Sequence, residues 1–280
     1  MTASQITLEP MTLDHLDGAV VLSQQAGWPH RREDWVFVLT LSNGIVALED
    51  GRVVGTAMCT PLGDDVAAVN MVIVDEATRG KGLGRKLMQA ALDAAAGQTC
   101  LLVATHDGLP LYEKLGFVAY GEIVQHQGLA VKVDAPGNIS WATGDDFLRL
   151  VELDHSATGH NRMNTMQLLN ETAQFAVIRK DDQADAFAGI RAFGRGLVIG
   201  PVVAKTGEDA RSLIDFLLAQ HAGEFVRVDT NIATNLADWL TSRGLVHVGG
   251  GIPMRRTAEH IEKNNGSESR TYALVNQALG

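Results

Sequence analysis

The stretch that most restricts how this chain can fold lies between residues 67 and 96. An almost wholly apolar segment, AAVNMVIVD, is typical of a strand buried on both faces. It leads into the glycine-rich turn EATRGKGLG, after which Leu83, Leu87, Ala91 and Ala94 recur at helical spacing. The sequence therefore predicts a strand, a glycine-rich turn and a helix in direct succession.

The turn combines basic side chains and glycines in a chain whose formal net charge is -10. The alternating residues are Arg79, Gly80, Lys81, Gly82, Gly84, Arg85 and Lys86. The first N–H groups of a helix lack intrahelical partners, the helix dipole adds positive potential there, and glycine removes the Cβ that would keep an anion from the backbone. The spacing matches neither the GxxxxGK[ST] phosphate loop nor the GxGxxG dinucleotide fingerprint. We predict an anion site, with a solvated charged turn as the alternative.

The order of predicted elements repeats beyond DAPG, residues 134–137, although the residues diverge. The first helical segment, TLDHLDGAVVLSQQ, corresponds to TGDDFLRLVELDHS. The buried strand corresponds to RGLVIGPVVA, and the long helix corresponds to DARSLIDFLLAQH. We predict two tandem α+β units, residues 1–133 and 138–280, joined by a linker at 134–137. FVAYGEIV with LAVKV would close the first sheet, and VHVGGGIPMRR with TYALV the second.

Composition excludes several classes of protein. A pI near 5.3 argues against a nucleic-acid binder, which needs a basic face. Cys59 and Cys100 form no disulfide framework and no metal-ligand pattern, so we expect reduced core residues in a cytoplasmic protein. The N-terminal residues do not resemble a signal peptide, and no apolar run approaches the roughly 20 residues that span a bilayer, so no membrane association is expected. Homodimer formation is left open.

Two motifs resemble one known family. VIVDEATRGKGLGRKL, residues 72–87, is similar to the Arg/Gln-x-x-Gly-x-Gly/Ala motif of the GNAT superfamily of acyl-CoA-dependent N-acyltransferases, with Arg79, Gly82 and Gly84 in its fixed positions. LYEKLGF, residues 111–117, follows at the family's usual distance. The resemblance covers residues 5–133 well and 138–280 only in element order. It implies two GNAT-like units, each with a mixed, mainly antiparallel sheet of about six to seven strands flanked by helices.

The resemblance also implies acetyl-CoA as co-substrate, with its pyrophosphate held by the loop amides and its pantetheine arm lying along the strand before them. The implied binding residues are Val72, Ile73, Val74, Arg79, Gly80, Lys81, Gly82, Leu83, Gly84 and Arg85. No metal is expected, since the ligand spacing in DHSATGH, residues 154–160, matches no standard site.

Acyl transfer to an amine needs a polarised thioester carbonyl, a proton for the departing thiolate and a neutral nucleophile. The resemblance implies that backbone N–H of the strand carrying Val74 polarises the carbonyl and that Tyr112 acts as general acid. The alternative for Tyr112 is an aromatic residue that packs its short helix. The family often has asparagine seven residues before this tyrosine, where this chain has Thr105.

The base is not fixed by the sequence. His30, in GWPHRREDW, lies on the loop that borders the acceptor pocket in the family, and histidine has a suitable intrinsic pKa. Trp28 beside it would provide a stacking wall. The alternatives are a surface histidine next to a packing tryptophan, His106 or Glu33 as base, or an ordered water.

The second copy lacks the motif residues. An alignment of Val203 with Val74 places Glu208, Asp209 and Arg211 opposite Arg79, Gly80 and Gly82, and an alignment of Gly244 with Gly116 places Leu240 opposite Tyr112. Carboxylates repel a pyrophosphate, so we predict that this unit does not bind CoA and instead shapes the acceptor pocket, stabilises the first unit or forms an oligomer contact.

The sequence thus predicts a cytoplasmic N-acetyltransferase that transfers an acetyl group directly from acetyl-CoA to a primary amine of a small molecule or peptide. A non-catalytic acyl-CoA sensor or interaction module is the alternative, and a nucleotide binder is a third. The excess of acidic residues is larger in residues 1–128 than in the remainder, so a cationic amine is the first expectation for the acceptor.

Overall fold

A computed structural model of the chain describes residues 5–257 and 267–280. The first unit contains β1 Ile6–Pro10, α1 Leu16–Gln25, α2 Arg32–Thr40, β2 Asn43–Glu49, β3 Arg52–Pro61, β4 Val66–Val74, α3 Leu83–Ala94, β5 Thr99–Ala104, α4 Leu109–Lys114, β6 Val118–Ala119 and β7 Ile123–Leu129. The second contains β8 Ile139–Trp141, α5 Phe147–Thr158, α6 Met163–Thr172, β9 Gln174–Lys180, β10 Gln183–Phe193, β11 Gly196–Ala204, α7 Gly207–Gln220, β12 Phe225–Asn231, α8 Ala237–Ser242, β13 Val246–Arg256 and β14 Arg270–Ala273. The elements from β1 to α4 recur in the same order from β8 to α8, which confirms the predicted tandem α+β architecture.

α3 illustrates how the predicted pattern becomes packing. Leu83, Leu87 and Ala91 are buried against the sheet as expected. Ala94 is exposed, and Ala95, one residue later, is fully buried at the end of the same stripe. The apolar stripe therefore drifts around the helix, as a period of 3.6 residues requires.

The strands of the described residues join in one 14-stranded sheet. Its order is β1-β2-β3-β4-β5-β13-β7-β12-β11-β10-β9-β8, with β14 beside β11 and β6 beside β13. Neighbouring strands are antiparallel except β4–β5 and β11–β12, which are parallel. The prediction of mixed, mainly antiparallel sheets is confirmed.

The two units exchange strands at the centre of this sheet. β13 of the second unit pairs with β5 and β6 of the first, and β7 of the first pairs with β12 of the second. Residues 130–133 form no strand, so the prediction that LAVKV closes the first sheet is wrong. Ala130 instead donates to the Glu224 carbonyl at 2.8 Å and accepts from the Gly223 N–H at 2.8 Å. The prediction that VHVGGGIPMRR closes the second sheet is also wrong, because Ile252–Arg256 pairs with β5.

The triple glycine of β13 lies where that strand crosses from one unit to the other. A Cβ on Gly250 would overlap the carbonyl oxygen of Ile123, and one on Gly251 would overlap the Val103 side chain. Gly249 has a φ of +131°, beside an irregularity in the pairing with β7. Glycine is needed here because two backbones approach closely and the strand bends. The predicted boundaries of the two units, residues 133 and 138, stay a prediction, because β7 and β13 each pair with strands on the other side of them.

Three large apolar clusters hold the fold together, beside a small one of Leu62, Val66 and Ala68. One packs α3 on the first unit and one packs α7 on the second. The third is shared, since Leu22 and Trp35 of α1 and α2 pack in one cluster with Leu150, Met166 and Phe187 of the second unit. This common cluster fixes the two units relative to each other. None of the helices in the described ranges is long and apolar enough to cross a membrane.

Candidate active site

The parallel strands β4 and β5 are paired only at their beginnings. Val66–Ala68 pairs with Thr99–Leu101, after which no pairing joins the two strands. β4 carries one extra residue at a bulge around Met71, whose φ is +49°, and Thr56 Oγ1 donates to the Met71 carbonyl at 2.7 Å. Both strands line a cavity beyond this point. The bulge thus separates β4 from β5 and opens the sheet.

The glycine-rich turn follows β4 and leaves the beginning of α3 uncapped. Gly80 and Gly82 have φ values of +78° and +79°, and no atom lies within 4 Å of the position that a Cβ would take on either. Gly82 is the N-cap residue of α3 and supplies no side-chain hydrogen bond. The first intrahelical bond runs from the Lys86 N–H to the Gly82 carbonyl, so the N–H groups of residues 83–85 have no partner in the helix. Such a helix end suits an anion.

The predicted cations surround this helix end. Arg79, Lys81 and Arg85 are exposed, and Arg79 Nε donates to the Val74 carbonyl at 3.3 Å, which ties the arginine to the end of β4. A Cβ on Gly84 would lie 3.5 Å from Leu111 Cδ2 and 3.7 Å from Val74 Cγ2. The first turn of α3 therefore lies beside both α4 and the end of β4.

Asp75 fixes the entry to the turn. Its carboxylate is buried and accepts from an Arg52 terminal nitrogen at 2.7 Å, the Ala77 N–H at 2.9 Å and Gln25 Nε2 at 3.4 Å. Burial opposes ionisation, but these hydrogen bonds, Arg52 first, hold the pKa of the Asp75 carboxyl below its usual value. Sequence reasoning missed this residue because its partners come from α1 and β3.

Tyr112 lies on α4 and lines the same cavity as the bulged part of β4. Its ring is buried against Gly108, where a Cβ would meet Cε2 at 2.7 Å, and contacts Phe117 edge-to-face at 6.1 Å between centroids. Burial raises the pKa of Tyr112 to about 12. Within the described residues its hydroxyl has no hydrogen-bond partner, so the phenol is protonated and free to donate.

Thr105 occupies the position where the family often has asparagine. Its Oγ1 accepts from the Gly108 N–H at 3.2 Å, and its carbonyl accepts from the N–H of Gly108 and Leu109, both at 3.1 Å. Thr105 therefore holds the turn that leads into α4, the helix that carries Tyr112. It also lines the cavity.

His30 lies on the α1–α2 loop, enclosed by aromatic rings. Trp28, Trp35 and Phe193 contact it edge-to-face, and its Nδ1 lies 3.3 Å from Ser23 Oγ, which accepts from Trp35 Nε1. Burial, followed by the nearby cations of the second unit, lowers the pKa of His30 to about 4, although Asp34 opposes the shift. The imidazole is neutral at physiological pH and is a weak base.

The other sequence candidates divide between cavity and surface. Trp28 and His106 line the cavity, as does Val72, whereas Glu33 is exposed and does not line it. Ile73 is buried in the shared apolar cluster.

The cavity lies between the two units and has a volume of about 540 Å³. Residues that sequence reasoning missed form much of its wall, namely Asn70, Gln125, Gln127, Phe193, Arg195, Arg227, Val248, Asn276 and Gln277. Several of them come from the second unit, and none belongs to a local motif. The α1–α2 loop is fixed to the second unit at this wall, since Asp34 Oδ2 accepts from the Gly194 N–H at 2.9 Å.

In the second unit, the gap between the separated strands is filled by a later segment of the same chain, β14 and the residue after it. β11 and β12 pair over Leu197–Ile199 and Val226–Val228, beyond which β14 pairs with β11 and the Leu274 N–H donates to the Asp229 carbonyl at 2.9 Å. A Cβ on Gly200 would overlap the Leu274 carbonyl oxygen, which shows how closely this segment fits.

The helix end of the second unit is closed as well. α7 begins at Gly207, and the side chain of its N-cap, Thr206, accepts from the Asp209 N–H at 3.1 Å. The turn that precedes α3 from residue 75 to 82 is reduced to two residues before α7, so the expected match of Arg211 with Gly82 is wrong. The match of Leu240 with Tyr112 is correct, because each is the fourth residue of a six-residue helix.

The run DHSATGH is structural. Asp154 binds Arg162 in a buried ion pair with a distance of 2.9 Å between Oδ2 and Nε, and Arg162 donates to the Gly280 carbonyl at 2.7 Å. Cys59 and Cys100 are buried and form no disulfide, as predicted. Burial raises the pKa of the Cys59 thiol to about 11.

Two matches to known families coincide with the two units. The acetyltransferase (GNAT) family matches residues 11–117, and an acetyltransferase (GNAT) domain matches residues 150–268. The chain belongs to the GNAT family. It is an acyltransferase with two tandem GNAT domains.

The chain spans nearly the whole length of several similar proteins. An uncharacterized N-acetyltransferase of Bacillus subtilis, YitH, is 28% identical over 278 residues, which cover 95% of this chain and 96% of that protein. The crystal structure of a putative acetyltransferase from Pyrococcus horikoshii superimposes with a TM-score of 0.82 at 18% identity over 98% of this chain and 96% of that one. A tandem GNAT protein from the clavulanic acid biosynthesis pathway has a TM-score of 0.61 at 15% identity over 92% of this GNAT chain and all of its own.

Proposed function

We propose that this protein transfers an acetyl group from acetyl-CoA to a primary amine, and that it does so in its first GNAT unit alone. The observation that carries the proposal is a difference between the units. In the first, separated strands, an uncapped helix end and a phenol lie together, whereas the second fills the strands with β14, caps the helix with Thr206 and has Leu240 in place of the phenol.

The residues of the first unit fit the co-substrate. Backbone N–H groups at the beginning of α3, with Arg79 and Arg85, would hold the diphosphate, because both glycines of the turn leave open space where a Cβ would otherwise lie. The strand edge at Val72–Val74 would hold the pantetheine arm, since its pairing with β5 ends at Ala68. When bound, acetyl-CoA supplies an acyl group activated as a thioester.

Tyr112 serves as general acid in this proposal. The amine nitrogen forms a bond to the acyl carbon, the carbon–sulfur bond breaks, and the Tyr112 hydroxyl donates to the departing sulfur. A phenol with a pKa of about 12 keeps its proton across the physiological range. Because a thiol has a pKa of about 8.5, complete transfer is uphill, and much of the effect is stabilisation of the thiolate by a hydrogen bond.

His30 stays a candidate for the group that accepts the amine proton. Its pKa of about 4 leaves it unprotonated, as a base must be, but makes it weak. A water in the cavity, or His106 at the rim, would serve the same role. Location in the cytoplasm and homodimer formation remain predictions.

Calorimetry and turnover test the proposal together. Titration of acetyl-CoA should show one site per chain, and Tyr112→Phe should lower the amine-dependent release of CoA by about 10²-fold or more, the usual contribution of general acid catalysis. Phe117→Leu, which changes the neighbouring ring, is the control for packing. Two equivalent sites would refute the assignment of the units. Binding of acetyl-CoA without release of CoA for any amine would favour the sensor.

A further inference from the structure

The side chains that line the cavity carry positive but not negative charge. Arg195 and Arg227 line it together with several amides, and the lining residues within the described ranges include no aspartate or glutamate. The acidic side chains that outnumber the basic ones in residues 1–128 therefore do not line the cavity. The expectation of a cationic acceptor loses its basis, since a second ammonium group would meet no carboxylate there.

Hydrogen bonds hold the Arg227 guanidinium in one orientation and leave one of its terminal nitrogens free. Its Nε and one terminal nitrogen donate to Asp229 at 2.8 and 3.0 Å, and Asp229 is fully buried behind it and also accepts from Gln277 at 2.8 Å. The second terminal nitrogen has no hydrogen-bond partner among the described residues, and it is not sealed from solvent. A guanidinium fixed in this way is preorganised to donate to an oxygen anion in the cavity.

Two more arginines add positive charge, Arg195 in the cavity wall and Arg191 behind Phe193. Arg195 is exposed at the β10–β11 turn and has no ion pair in the described part of the chain. Arg191 is 5% exposed, lies 4.4 Å above the Phe37 ring and 5.2 Å from the Phe193 ring, and leaves Nε and one terminal nitrogen without a partner among the described residues. Burial is the main cause that lowers the pKa of His30, Asp34 opposes the shift, and Arg227 and Arg191 lower the pKa further, so both arginines act on a residue that lines the cavity.

We infer that the acceptor amine carries an anionic group, a carboxylate or a phosphate, which binds Arg227 and Arg195 while the amine lies near Tyr112. This inference rests on the proposed function, since it names the acceptor of that reaction. The neighbouring amide chain, in which Gln125 donates to Gln127 at 3.0 Å and Gln277 lies 3.3 Å from Gln125, supplies further donors for oxygen atoms.

Pairs of amines that differ chiefly in the anion test the inference, and each rate is expressed per unprotonated amine because the anion also raises the pKa of the amine. Glycine is compared with glycinamide and phosphoethanolamine with ethanolamine, which separates carboxylate from phosphate, and spermidine serves as the polycation. The rate of CoA release gives kcat/KM for each. We expect the anionic member of at least one pair to be preferred about tenfold or more, because a hydrogen bond to a charged group contributes about 1.5–3 kcal/mol and 1.4 kcal/mol is tenfold.

Arg195→Gln should reduce this preference at least fivefold, since it removes one charge that faces the anion. Arg211→Gln is the matched control, because Arg211 is an exposed arginine on α7 outside the cavity and should keep the wild-type ratio. Arg227 is left intact, because its removal would leave Asp229 buried without its cation.

The same amines are titrated calorimetrically into the CoA-saturated protein. Preference for the anionic members in both assays, reduced at least fivefold in Arg195→Gln, supports the inference. Equal or stronger use of the neutral members or of spermidine, an unchanged ratio in Arg195→Gln, or no preference in binding would overturn it. If the anionic amines bind selectively but release no CoA, the proposed acetyl transfer is wrong and the anion site stands.

Discussion

The substitution Gly82→Ala tests the role of the α3 N-terminus separately from the rest of the fold. Gly82 has a φ of +79° with no atom within 4 Å of the position that a Cβ would take, so alanine meets left-handed strain but no clash. That strain costs roughly 1–2 kcal/mol of stability. The new methyl group also fills open space at the N-cap, directly before the residues 83–85 whose N–H groups are free. Loss of one hydrogen bond from these groups to a phosphate oxygen would cost about 1.5–3 kcal/mol.

Gly82→Ala should therefore weaken acetyl-CoA binding roughly ten- to a hundredfold, since 1.4 kcal/mol is tenfold. Gly97→Ala is the matched control, because Gly97 has a φ of +85°, is exposed and also has open space around it. Both variants should lower the melting temperature by a similar amount, about 2–4 °C for each kcal/mol in a chain of this size. Calorimetric Kd values for acetyl-CoA decide the outcome. Equal Kd values for the two variants would refute the assignment of this helix end to the diphosphate.

Two further predictions concern stability. Asp154→Ala should lower the free energy of unfolding in urea by about 3–5 kcal/mol, because Arg162 stays buried without its partner, whereas Glu152→Ala, which breaks an exposed pair, should cost below about 1 kcal/mol; similar losses for both would contradict the reasoning. His30 has a folded pKa of about 4, below its ordinary 6.5, so the folded state binds fewer protons and stability falls as the pH drops from about 6.5 through 4. His30→Gln should flatten the pH dependence in that window, and an unchanged slope would show that His30 does not hold the lowered pKa.

The local elements and the first-unit motifs were predictable from the sequence because their signals are local. The apolar run of β4, the glycines before α3 and the segment around Tyr112 each specify an element within a few residues. Even in these segments, one structural feature could not be predicted from the spacing of apolar residues. The bulge at Met71, which separates the strands, has no glycine to mark it, and its φ of +49° is imposed by the pairing with β3.

The acceptor cavity was not predictable for a different reason. Its walls combine residues such as Gln125, Arg227 and Gln277, which are far apart in the chain and meet because β7 pairs with β12 and the segment after β14 reaches β12. An alternating strand pattern specifies which face is buried but not which neighbour a strand takes. A prediction that closes each unit on itself therefore includes the residues proposed to bind acetyl-CoA and misses those proposed to bind the acceptor.

The segment around β14 links the second unit to the proposed acceptor cavity. β14 occupies the separated strands there, and its continuation reaches the cavity, where Asn276 and Gln277 form part of the wall. Gln277 in turn donates to Asp229, which orients Arg227. In the proposed arrangement, the segment that fills the separated strands of the second unit also completes the acceptor wall. A CoA groove in the second unit would leave that wall without Asn276 and Gln277 and would leave Arg227 without part of its support, so we do not expect one chain to have both.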